Sequence, residues 1–419
     1  MAVPQRYDRQ SRIKNWNQER ISCTEAYLVG SDVLSDIMLV DLLSLGFSRV
    51  YRIGQSKSFE FEKINPDVYL EQTGENITTL QDARRVFSEA NPKNSIIIEC
   101  SNDGRSKYFS SIGAREKNLN FFSASSTENG FSFTTKQMDE QLIQYHLSDF
   151  DKVQGFNNSL ACSAILSDEI RKMIMPIEGD IRLEEYRHSG IKEANSLDKK
   201  ILQVGAGAIG TFSALALARM NAQITLVDFD TVEESNLNRQ FLFYNSLGRN
   251  KAETLAERVR TYNPRCAIRG INKKITRDFE PKNFDFVFSC VDNNEARYFL
   301  NESARKYNVP LINAGSSTDG CSSAVYYPGK TACLDCQLGF KLSDAMKPKE
   351  EVEAKRKPCE CFHPSLIIPN QIAGALMIDS MLKSIEENYQ KSEYSSGFGI
   401  NSGSINDSCF RMCKSKEQK

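Results

Sequence analysis

The sequence lacks a strong excess of charge of either sign. Its 419 residues include 53 lysines and arginines against 54 aspartates and glutamates, so the formal net charge is −1. The isoelectric point of the sequence is about 6.4. A nucleic-acid-binding domain would be expected to show a basic stripe or a high isoelectric point. The composition therefore predicts no nucleic-acid partner.

Long hydrophobic runs are also missing. No apolar segment approaches the roughly 20 residues that a membrane-spanning helix needs. The N-terminal residues 1–9 have no apolar stretch of the kind found in a secretory signal peptide. We therefore expect no membrane association and a cytoplasmic location. In that reducing setting, the clustered members of the 12 cysteines are better interpreted as metal ligands or nucleophiles than as disulfides.

The chain is long enough for two or three domains, and its two halves repeat one pattern. Four segments occur in the same order in each half, namely residues 26–37, 50–53, 95–102 and 119–124, and then residues 200–210, 224–228, 284–293 and 309–314. In each half the first segment is an apolar strand followed by a glycine turn and a helical pattern. Strands that alternate with helices indicate a parallel, doubly wound sheet. We predict an α/β fold with two tandem Rossmann-like domains.

The composition also predicts where the two copies begin and end. The first copy is expected to span residues 1–176 and the second residues 199–419. The charged stretch 177–198 is interpreted as a connector. In the second copy, residues 369–385 combine Ala, Leu, Met and Ile in a helical pattern, which predicts a core helix.

A glycine-rich turn follows the first strand of the second copy. Gly205, Gly207 and Gly210 fit the pattern Gly-x-Gly-x-x-Gly, and Asp228 ends the next strand 18 residues after the last glycine. Glycines let the backbone approach a phosphate, the following helix offers N–H groups, and the carboxylate accepts hydrogen bonds from ribose. The pattern therefore predicts a nucleotide site. The alternative is a tight turn between strand and helix that binds nothing.

The residues after Asp228 argue for ATP rather than NAD. Asn236, Arg239 and Lys251 would bring hydrogen-bond donors and two positive charges beside the phosphates. Fixed cations stabilise the negative charge that grows on departing pyrophosphate, whereas hydride transfer needs no such pair. Asp292 follows another buried strand, at the edge where ligands bind in such sheets. Its carboxylate could hold Mg²⁺.

Residues 228–240 read Asp-x-Asp-x-Val-x-x-Ser-Asn-Leu-x-Arg-Gln. With this motif the sequence resembles the superfamily of ubiquitin-activating enzymes and their bacterial relatives, the ThiF-type adenylyltransferases of thiamine and molybdopterin biosynthesis. The resemblance covers residues 199–413 and, more faintly, residues 5–176. It implies that the protein uses ATP to adenylate the C-terminal glycine carboxylate of a ubiquitin-like protein.

The resemblance assigns a role to each matching residue. Asp228 matches the ribose-binding acid, and Asp292 matches the aspartate linked to Mg²⁺. The phosphate-binding set is matched by Asn236, Arg239, Gln240 and Lys251.

The resemblance also accounts for the two copies. Active sites of this family use two adenylation folds, one of which can be inactive, so an internal pseudo-dimer is implied and no further oligomerisation is required. In the first copy, Asp32 and Ser35 replace the later glycines of the turn that begins at Gly30. Asp32 would bring negative charge to the phosphate position. We therefore predict a non-catalytic first copy.

The N-terminal residues 6–10 read Arg-Tyr-Asp-Arg-Gln. They resemble the family's N-terminal arm, whose second arginine reaches the ATP of the partner fold, so Arg9 would complete the second site. Residues 182–187 are interpreted as a degenerate counterpart of this arm. The alternative for residues 6–10 is a solvated basic tail.

Two cysteine pairs near the end of the chain predict a structural zinc site. Cys333 and Cys336 form a Cys-x2-Cys pair, and Cys409 and Cys413 form a Cys-x3-Cys pair. Four thiolates make a closed tetrahedral site of the kind that stabilises a fold. The alternative is four unrelated buried cysteines.

Cys361 is the leading candidate for a thioester nucleophile. It stands eight residues before Pro369, which opens the predicted helix, and the resemblance implies a cysteine at this spacing where the family forms a thioester. Cys359 is the alternative. A third reading is that this chain adenylates without a thioester step, as some relatives do, and that both cysteines bind a metal.

The expected partners are a ubiquitin-like protein and a conjugating enzyme that receives the acyl group. Other functions stay open from the sequence. They are activation of a sulfur-carrier protein for cofactor or tRNA-thiolation chemistry, adenylation of a peptide in natural-product biosynthesis, a non-catalytic scaffold, and an NAD-dependent dehydrogenase.

Overall fold

The computed structural model describes residues 4–56, 58–137, 154–338 and 364–405. The first half contains one sheet and seven α-helices within these ranges. Its strands are β1 (Glu25–Val29), β2 (Arg49–Ile53), β3 (Tyr69–Thr73), β4 (Ser95–Glu99), β5 (Asn120–Thr127), β6 (Gly130–Thr134) and β7 (Glu185–Ser189). Its helices are α1 (Asp8–Ser11), α2 (Gln18–Ser22), α3 (Val33–Leu45), α4 (Phe61–Ile64), α5 (Leu80–Val86), α6 (Gly104–Glu116) and α7 (Phe156–Ile174). A short 3-10 helix, Gln5–Tyr7, precedes α1.

The second half contains a second sheet. Its strands are β8 (Lys200–Val204), β9 (Gln223–Val227), β10 (Ile268–Ile271), β11 (Phe286–Ser289), β12 (Leu311–Ser316), β13 (Gly320–Tyr326), β14 (Gln390–Ser395) and β15 (Gly399–Ser404). Its helices are α8 (Ala208–Arg219), α9 (Lys251–Tyr262), α10 (Asn294–Tyr307), α11 (Leu334–Leu338) and α12 (Ile367–Ile385). Two 3-10 helices, Glu234–Asn236 and Phe241–Phe243, lie between β9 and α9.

The two sheets share the order and direction of seven strands, and the second sheet has one more strand, β15. The first runs in the order β3-β2-β1-β4-β5-β6-β7, and the second in the order β10-β9-β8-β11-β12-β13-β14-β15. In each sheet the first five strands of this order are parallel, and the strands after them are antiparallel. The α/β fold with two Rossmann-like sheets is therefore confirmed.

Strand β7 lies inside the range 177–198 that the sequence suggested as a connector. It pairs antiparallel with β6, so that Tyr186 faces Phe133 and His188 faces Phe131. Residues 182–187, interpreted as a degenerate arm, therefore run into an edge strand of the first sheet. Exposed and half-buried residues alternate along this strand. With charged residues around it, the sequence pattern did not distinguish it from an exposed connector.

The core between the halves is helical. Helix α7 packs against α3 and α12, and α12 packs against α8, α7 and the strands β12 and β13. Both α7 and α12 have 19 residues and are buried along almost their whole length. The helix predicted at residues 369–385 is thus present and begins at Ile367. Burial on every face is typical of a helix in the centre of a structure.

The hairpin of β14 and β15 also contacts the first half. Tyr394 Oη and Ser396 Oγ donate to Asp168 Oδ2 of α7, at 3.3 and 2.5 Å. The backbone N–H of Ile400 donates to Tyr186 Oη of β7 at 2.7 Å. Polar groups from both halves therefore join the edges of the two sheets.

Across the described ranges, no helix combines the length and the apolar character needed to cross a bilayer.

Candidate functional site

Three glycines lie where β8 leads into α8: Gly205 and Gly207 are in the connecting loop, and Gly210 is in the first turn of α8. Packing requires two of them. Gly205 has φ +98°, and a Cβ there would lie 2.5 Å from the carbonyl oxygen of Cys290. A Cβ on Gly210 would lie 2.2 Å from the carbonyl oxygen of Gly205. A Cβ on Gly207 would meet only Gln240 Nε2, at 3.8 Å. Gly207 therefore faces open space rather than the protein interior.

The same loop leaves the start of α8 without a side-chain cap. Gly207 is the N-cap residue, and among the described residues no side-chain hydrogen bond caps this helix. The first N–H groups of a helix have no partner within the helix and carry partial positive charge. The open space in front of Gly207 is therefore suited to an anion such as a phosphate.

Asp228 follows β9 and lies beside the glycine loop. Its Oδ2 accepts a hydrogen bond from the N–H of Ala206 at 2.7 Å, and its Oδ1 accepts from the N–H of Asp230 at 2.9 Å. Burial raises the pKa of Asp228, and these two amides oppose that shift. The backbone thus holds the carboxylate at the carboxyl end of β9, where ribose is bound in such sheets.

Arg239 is a buried cation next to this loop. Its Nη1 donates to the carbonyl of Ser235 at 2.7 Å and to Asn238 Oδ1 at 2.8 Å. The pKa of Arg239 is lowered to about 10, mainly by burial and also by the charge of Arg9, whereas the charges of Asp292 and Glu233 oppose the shift. Because a buried cation is costly without a counter-charge, this position favours an anionic ligand.

Lys251 supplies a second cation at the first residue of α9. Its Nζ lies 3.2 Å from Asp230 Oδ2, and its side chain is 11% exposed. The N-cap residue Asn250 donates to the carbonyls of Asp228 and Asp230, at 3.0 and 3.2 Å. The start of α9 is therefore tied directly to the loop that follows β9.

Two predicted phosphate ligands are buried amides. Asn236 Oδ1 accepts from the N–H of Glu233 at 3.0 Å, within a capping box of the first 3-10 helix. Gln240 lies beside Gly207, and its buried Oε1 has no hydrogen-bond partner among the described residues. The Nε2 of the same side chain is the atom that a Cβ on Gly207 would meet, so this amide borders the open space in front of that glycine.

Asp292 lies just past the end of β11 and is exposed. Its Oδ1 is 3.5 Å from Asn293 Nδ2, and Asn293 caps α10. The electrostatic influence of Asp292 extends to Arg9, Arg239 and Arg297, whose pKa values it raises against the effect of burial. An exposed carboxylate among arginines can accept a metal ion together with a polyphosphate.

Arg9 reaches this place from the other half of the molecule. The carbonyl of Arg9 accepts a hydrogen bond from the N–H of Ser365 at 3.2 Å. Burial lowers the pKa of Arg9, whereas the charges of Asp8, Glu233 and Asp292 raise it. The N-terminal segment is therefore not a solvated tail, and the structure brings Arg9 together with Arg239 and Asp292.

A sequence profile of the ThiF family matches residues 178–419, which include the glycine loop, Asp228, Arg239, Lys251 and Asp292. This match covers more than half of the chain. The chain belongs to the ThiF family.

Several relatives of this ThiF-family chain are activating enzymes for ubiquitin-like proteins. The SUMO-activating enzyme subunit 2 of Dictyostelium discoideum is 37% identical over 145 residues, which are 33% of this chain and 22% of the relative. The NEDD8-activating enzyme E1 catalytic subunit of Saccharomyces cerevisiae is 35% identical over 158 residues, 34% of this chain and 52% of the relative. Ubiquitin-like modifier-activating enzyme 5 of Drosophila mojavensis is 28% identical over 216 residues, 47% and 53% of the two chains.

This chain therefore spans about half or less of the length of these relatives. Among solved structures, Escherichia coli MccB with AMPCPP and selenomethionine MccA is 25% identical. It covers 50% of this chain and 65% of the MccB chain, with a TM-score of 0.42.

The equivalent position in the first half of this ThiF-family chain is built differently. Strand register places Gly54 where the second half has Asp228, because Ile53 faces Val29 of β1 as Val227 faces Val204 of β8. By the same register, Asn102 stands where the second half has Asp292. The first half thus lacks both carboxylates.

Helix α3 is capped by its own side chains. Asp32 Oδ1 accepts from the N–H of Ser35 at 3.2 Å, and Ser35 Oγ accepts from the N–H of Asp32 at 3.0 Å. Asp32 is the N-cap residue, as Gly207 is in the second half. A carboxylate from the protein therefore occupies the place where a phosphate would interact with the helix N-terminus.

The predicted cysteine sites lie only partly within the described residues. Cys333 is buried and Cys336 is half-buried, at the start of α11. Cys359, Cys361, Cys409 and Cys413 lie outside the described residues. Within the described ranges, no group of three or more His, Cys, Asp or Glu side chains is arranged to hold a metal ion.

Sequence reasoning missed two buried polar residues next to the site. Asn238 was an unspecified position of the motif, and Gln10 was only the last residue of the arm, yet both are completely buried. Their side chains are joined by a hydrogen bond of 3.1 Å. No pattern in the sequence links positions 228 residues apart, so only the fold could reveal this pair.

Proposed function

We propose that the second half of this chain uses ATP and Mg²⁺ to adenylate the C-terminal carboxylate of a ubiquitin-like protein. One observation carries the proposal. The N-terminus of α8 has no side-chain cap and faces open space at Gly207. Around it lie two cations, Arg239 and Lys251, and two carboxylates, Asp228 and Asp292. These groups suit the ribose and phosphates of a nucleotide.

The arrangement of charge suits adenylation better than hydride transfer. The attacking carboxylate is already ionised, so no side-chain general base is needed. Negative charge grows on the pyrophosphate as it leaves, and cations fixed in advance stabilise that charge without reorganisation. Arg239, Lys251 and, from the first half, Arg9 are the groups proposed to do this.

Mg²⁺ fits the proposed site through Asp292. This carboxylate is exposed at the carboxyl end of β11, with arginine side chains as its charged surroundings. When bound, the metal would neutralise phosphate charge in the same place. The role of Asp292 is then to hold the ion at the edge of the sheet.

The two halves are proposed to form an internal pseudo-dimer with one catalytic site. The first half, residues 1–176, would be non-catalytic, because Asp32 caps its helix and Gly54 and Asn102 replace the two carboxylates. The second half, residues 199–419, would bind ATP. This division is supported by the contacts of Arg9, which lies in the first half and reaches the second.

We further propose that the thiolate of Cys361, with Cys359 as the alternative, attacks the acyl-adenylate and forms a thioester as AMP leaves. The acyl group then passes to a conjugating enzyme, which frees the cysteine. The support is the spacing of Cys361 from Pro369 at the start of α12.

We also propose that one structural Zn²⁺ is bound by four cysteines, namely Cys333, Cys336, Cys409 and Cys413. Elemental analysis that finds no zinc in the purified protein would contradict that site.

The function is tested by ATP–pyrophosphate exchange in the presence of candidate ubiquitin-like proteins. Asp292→Ala is expected to lower the exchange rate by about a hundredfold or more, because it removes the metal ligand and a charge in the site. Asp278→Ala is the matched control, since Asp278 is an exposed carboxylate of the same half outside the site. Exchange that survives Asp292→Ala would contradict the assignment of the site.

Cys361→Ala separates the second step from the first. The variant is expected to keep full pyrophosphate exchange but to lose the thioester adduct that is seen on a non-reducing gel. A thioester that persists in this variant would move the nucleophile, most simply to Cys359.

A further inference from the structure

Asn238 lies at a junction of three segments of the chain. It is completely buried between Leu237 and Arg239. Its Nδ2 donates to Gln10 Oε1 of the N-terminal segment at 3.1 Å and to the carbonyl of Ser365 at 3.3 Å. Its Oδ1 accepts from Arg239 Nη1 at 2.8 Å. One amide thus contacts the arm, the segment before α12 and a cation of the proposed phosphate site.

Gln10 is itself anchored in the first half. Its Nε2 donates to Gln18 Oε1 at 2.6 Å and to the carbonyl of Leu45, the last residue of α3, at 3.2 Å. Gln18 Nε2 donates to the same carbonyl at 2.9 Å. A continuous chain of hydrogen bonds therefore runs from the end of α3, through Gln10 and Asn238, to the guanidinium of Arg239.

Ser365 is held from two sides. Its N–H donates to the carbonyl of Arg9, and its own carbonyl accepts from Asn238. The main chain of Arg9 and the side chain of its neighbour Gln10 are therefore both fixed by groups of the second half. Two such contacts on adjacent residues set the direction in which the Arg9 side chain leaves the backbone.

The arrangement counteracts a repulsion. Arg9 and Arg239 carry like charges, and the charge of Arg9 lowers the pKa of Arg239. Two guanidinium groups would separate in the absence of an anion unless other contacts hold them. A site is most effective when its charges are in place before the anion arrives, since no reorganisation is then needed during the reaction.

We propose that Asn238 is a positioning residue that fixes the Arg9 arm of the first half against the Arg239 cation of the second. Its oxygen holds Arg239, and its nitrogen holds Gln10 beside Arg9. The statement that these cations serve ATP rests on the proposed function, whereas the statement that Asn238 fixes the arm is independent of it.

The first test needs no nucleotide. In the full chain, Asn238→Ala is expected to speed amide hydrogen exchange about tenfold in peptides covering residues 4–12 and 364–370, because two buried hydrogen bonds to them are lost. Asn158→Ala is the matched control. Asn158 is a completely buried asparagine of the first half whose Nδ2 donates to the carbonyl of Ile191 at 3.1 Å. Unchanged exchange of residues 4–12 in Asn238→Ala would overturn the proposal.

The second test is a double-mutant cycle on the affinity for ATP·Mg²⁺. Arg9→Ala and Asn238→Ala are each expected to weaken binding about tenfold. If Asn238 acts through the arm, the double variant loses about tenfold rather than about a hundredfold. Additive losses would show that Asn238 acts independently of Arg9 and would overturn its role as a positioning residue.

Asn238→Asp separates the two sides of the junction. This variant keeps an oxygen acceptor for Arg239 but loses the donor to Gln10 and Ser365. It is therefore expected to resemble Asn238→Ala in hydrogen exchange of the arm. A wild-type chain that binds no ATP would contradict the proposed function alone, and the exchange experiment would still decide whether Asn238 fixes the arm.

Discussion

At the scale of single residues, some glycines of the motif are needed for packing and another leaves space for a ligand. Gly205 and Gly210 are required by neighbouring backbone atoms, whereas Gly207 faces open space. A motif of three glycines therefore contains residues with different roles. The atoms that a Cβ would meet at each position show which role each glycine has.

We predict opposite outcomes for two alanine substitutions in the glycine motif. Gly207→Ala should fold normally, because φ is −77° and the new methyl group meets only Gln240 at 3.8 Å, but it should weaken ATP binding about tenfold by occupying the phosphate position. Gly210→Ala should lower the free energy of unfolding by roughly 1–3 kcal/mol or more, because its methyl group would lie 2.2 Å from a carbonyl oxygen.

Thermal unfolding and nucleotide titration of both variants check this prediction. A Gly207→Ala variant that binds ATP as tightly as wild type would show that the phosphate lies elsewhere. A Gly210→Ala variant as stable as wild type would contradict the packing role of that glycine.

At the scale of elements, a buried polar cluster lies where α3, α7 and α12 meet. Asp41 of α3 is completely buried and accepts hydrogen bonds from Ser163 Oγ and Ser167 Oγ of α7 and from Gln371 Nε2 of α12, the last at 3.2 Å. Burial raises the pKa of Asp41 to about 7, and these three donors oppose the shift. The helices that join the two halves therefore share a carboxyl group that is protonated in weakly acidic solution.

This pKa predicts a pH-dependent stability. Between the ordinary value of 3.8 and about 7, the folded chain binds one more proton at Asp41 than the unfolded chain. The stabilising contribution is therefore present at low pH and is lost as pH rises to 7. Asp41→Asn removes the ionisation, so the free energy of unfolding of the variant relative to wild type should rise by a few kcal/mol between pH 4 and pH 8.

Denaturant titrations of both proteins at several pH values measure this difference. Taking the difference between the two proteins cancels the contribution of other groups, including Glu193, whose pKa burial also raises to about 7. A difference that does not change with pH would show that Asp41 keeps one protonation state throughout.

At the scale of the whole molecule, the two halves share a sheet topology but differ in the residues at the place where a nucleotide would bind. The first half closes its helix N-terminus with Asp32 and lacks the two carboxylates, while the second half leaves its helix N-terminus uncapped. The first half also contributes to the site proposed in the second half, because Arg9 lies near Arg239 and Asp292. The hydrogen bonds of Asp168 and Tyr186 to the β14–β15 hairpin join the halves at a separate place.

We predict that one chain binds one ATP. Isothermal titration of the full chain with ATP·Mg²⁺ should give a stoichiometry near one, because Asp32 occupies the phosphate position of the first half with a negative charge. A stoichiometry of two would show that the first half binds nucleotide despite its cap.

Much of this protein could be inferred from the sequence because the relevant signals are local. A strand, a glycine turn and a helix lie within residues 200–219, and the motif that follows β9 lies within residues 228–240, so neighbouring positions in the chain carry the pattern. The duplication and the α/β fold follow from the same short segments. The family follows from the motif itself.

Other features were decided only by the tertiary structure. The strand β7 takes its place from pairing with β6, not from its own charged sequence. The distinction between Gly207 and Gly210 depends on atoms of Gln203, Gly205 and Gln240. The meeting of Arg9, Gln10 and Asn238 depends on a fold that brings residues about 230 positions apart into hydrogen-bond distance. Hydrophobic periodicity and turn residues describe the chain within a few turns or strands, whereas contacts between distant segments arise from packing of the two halves.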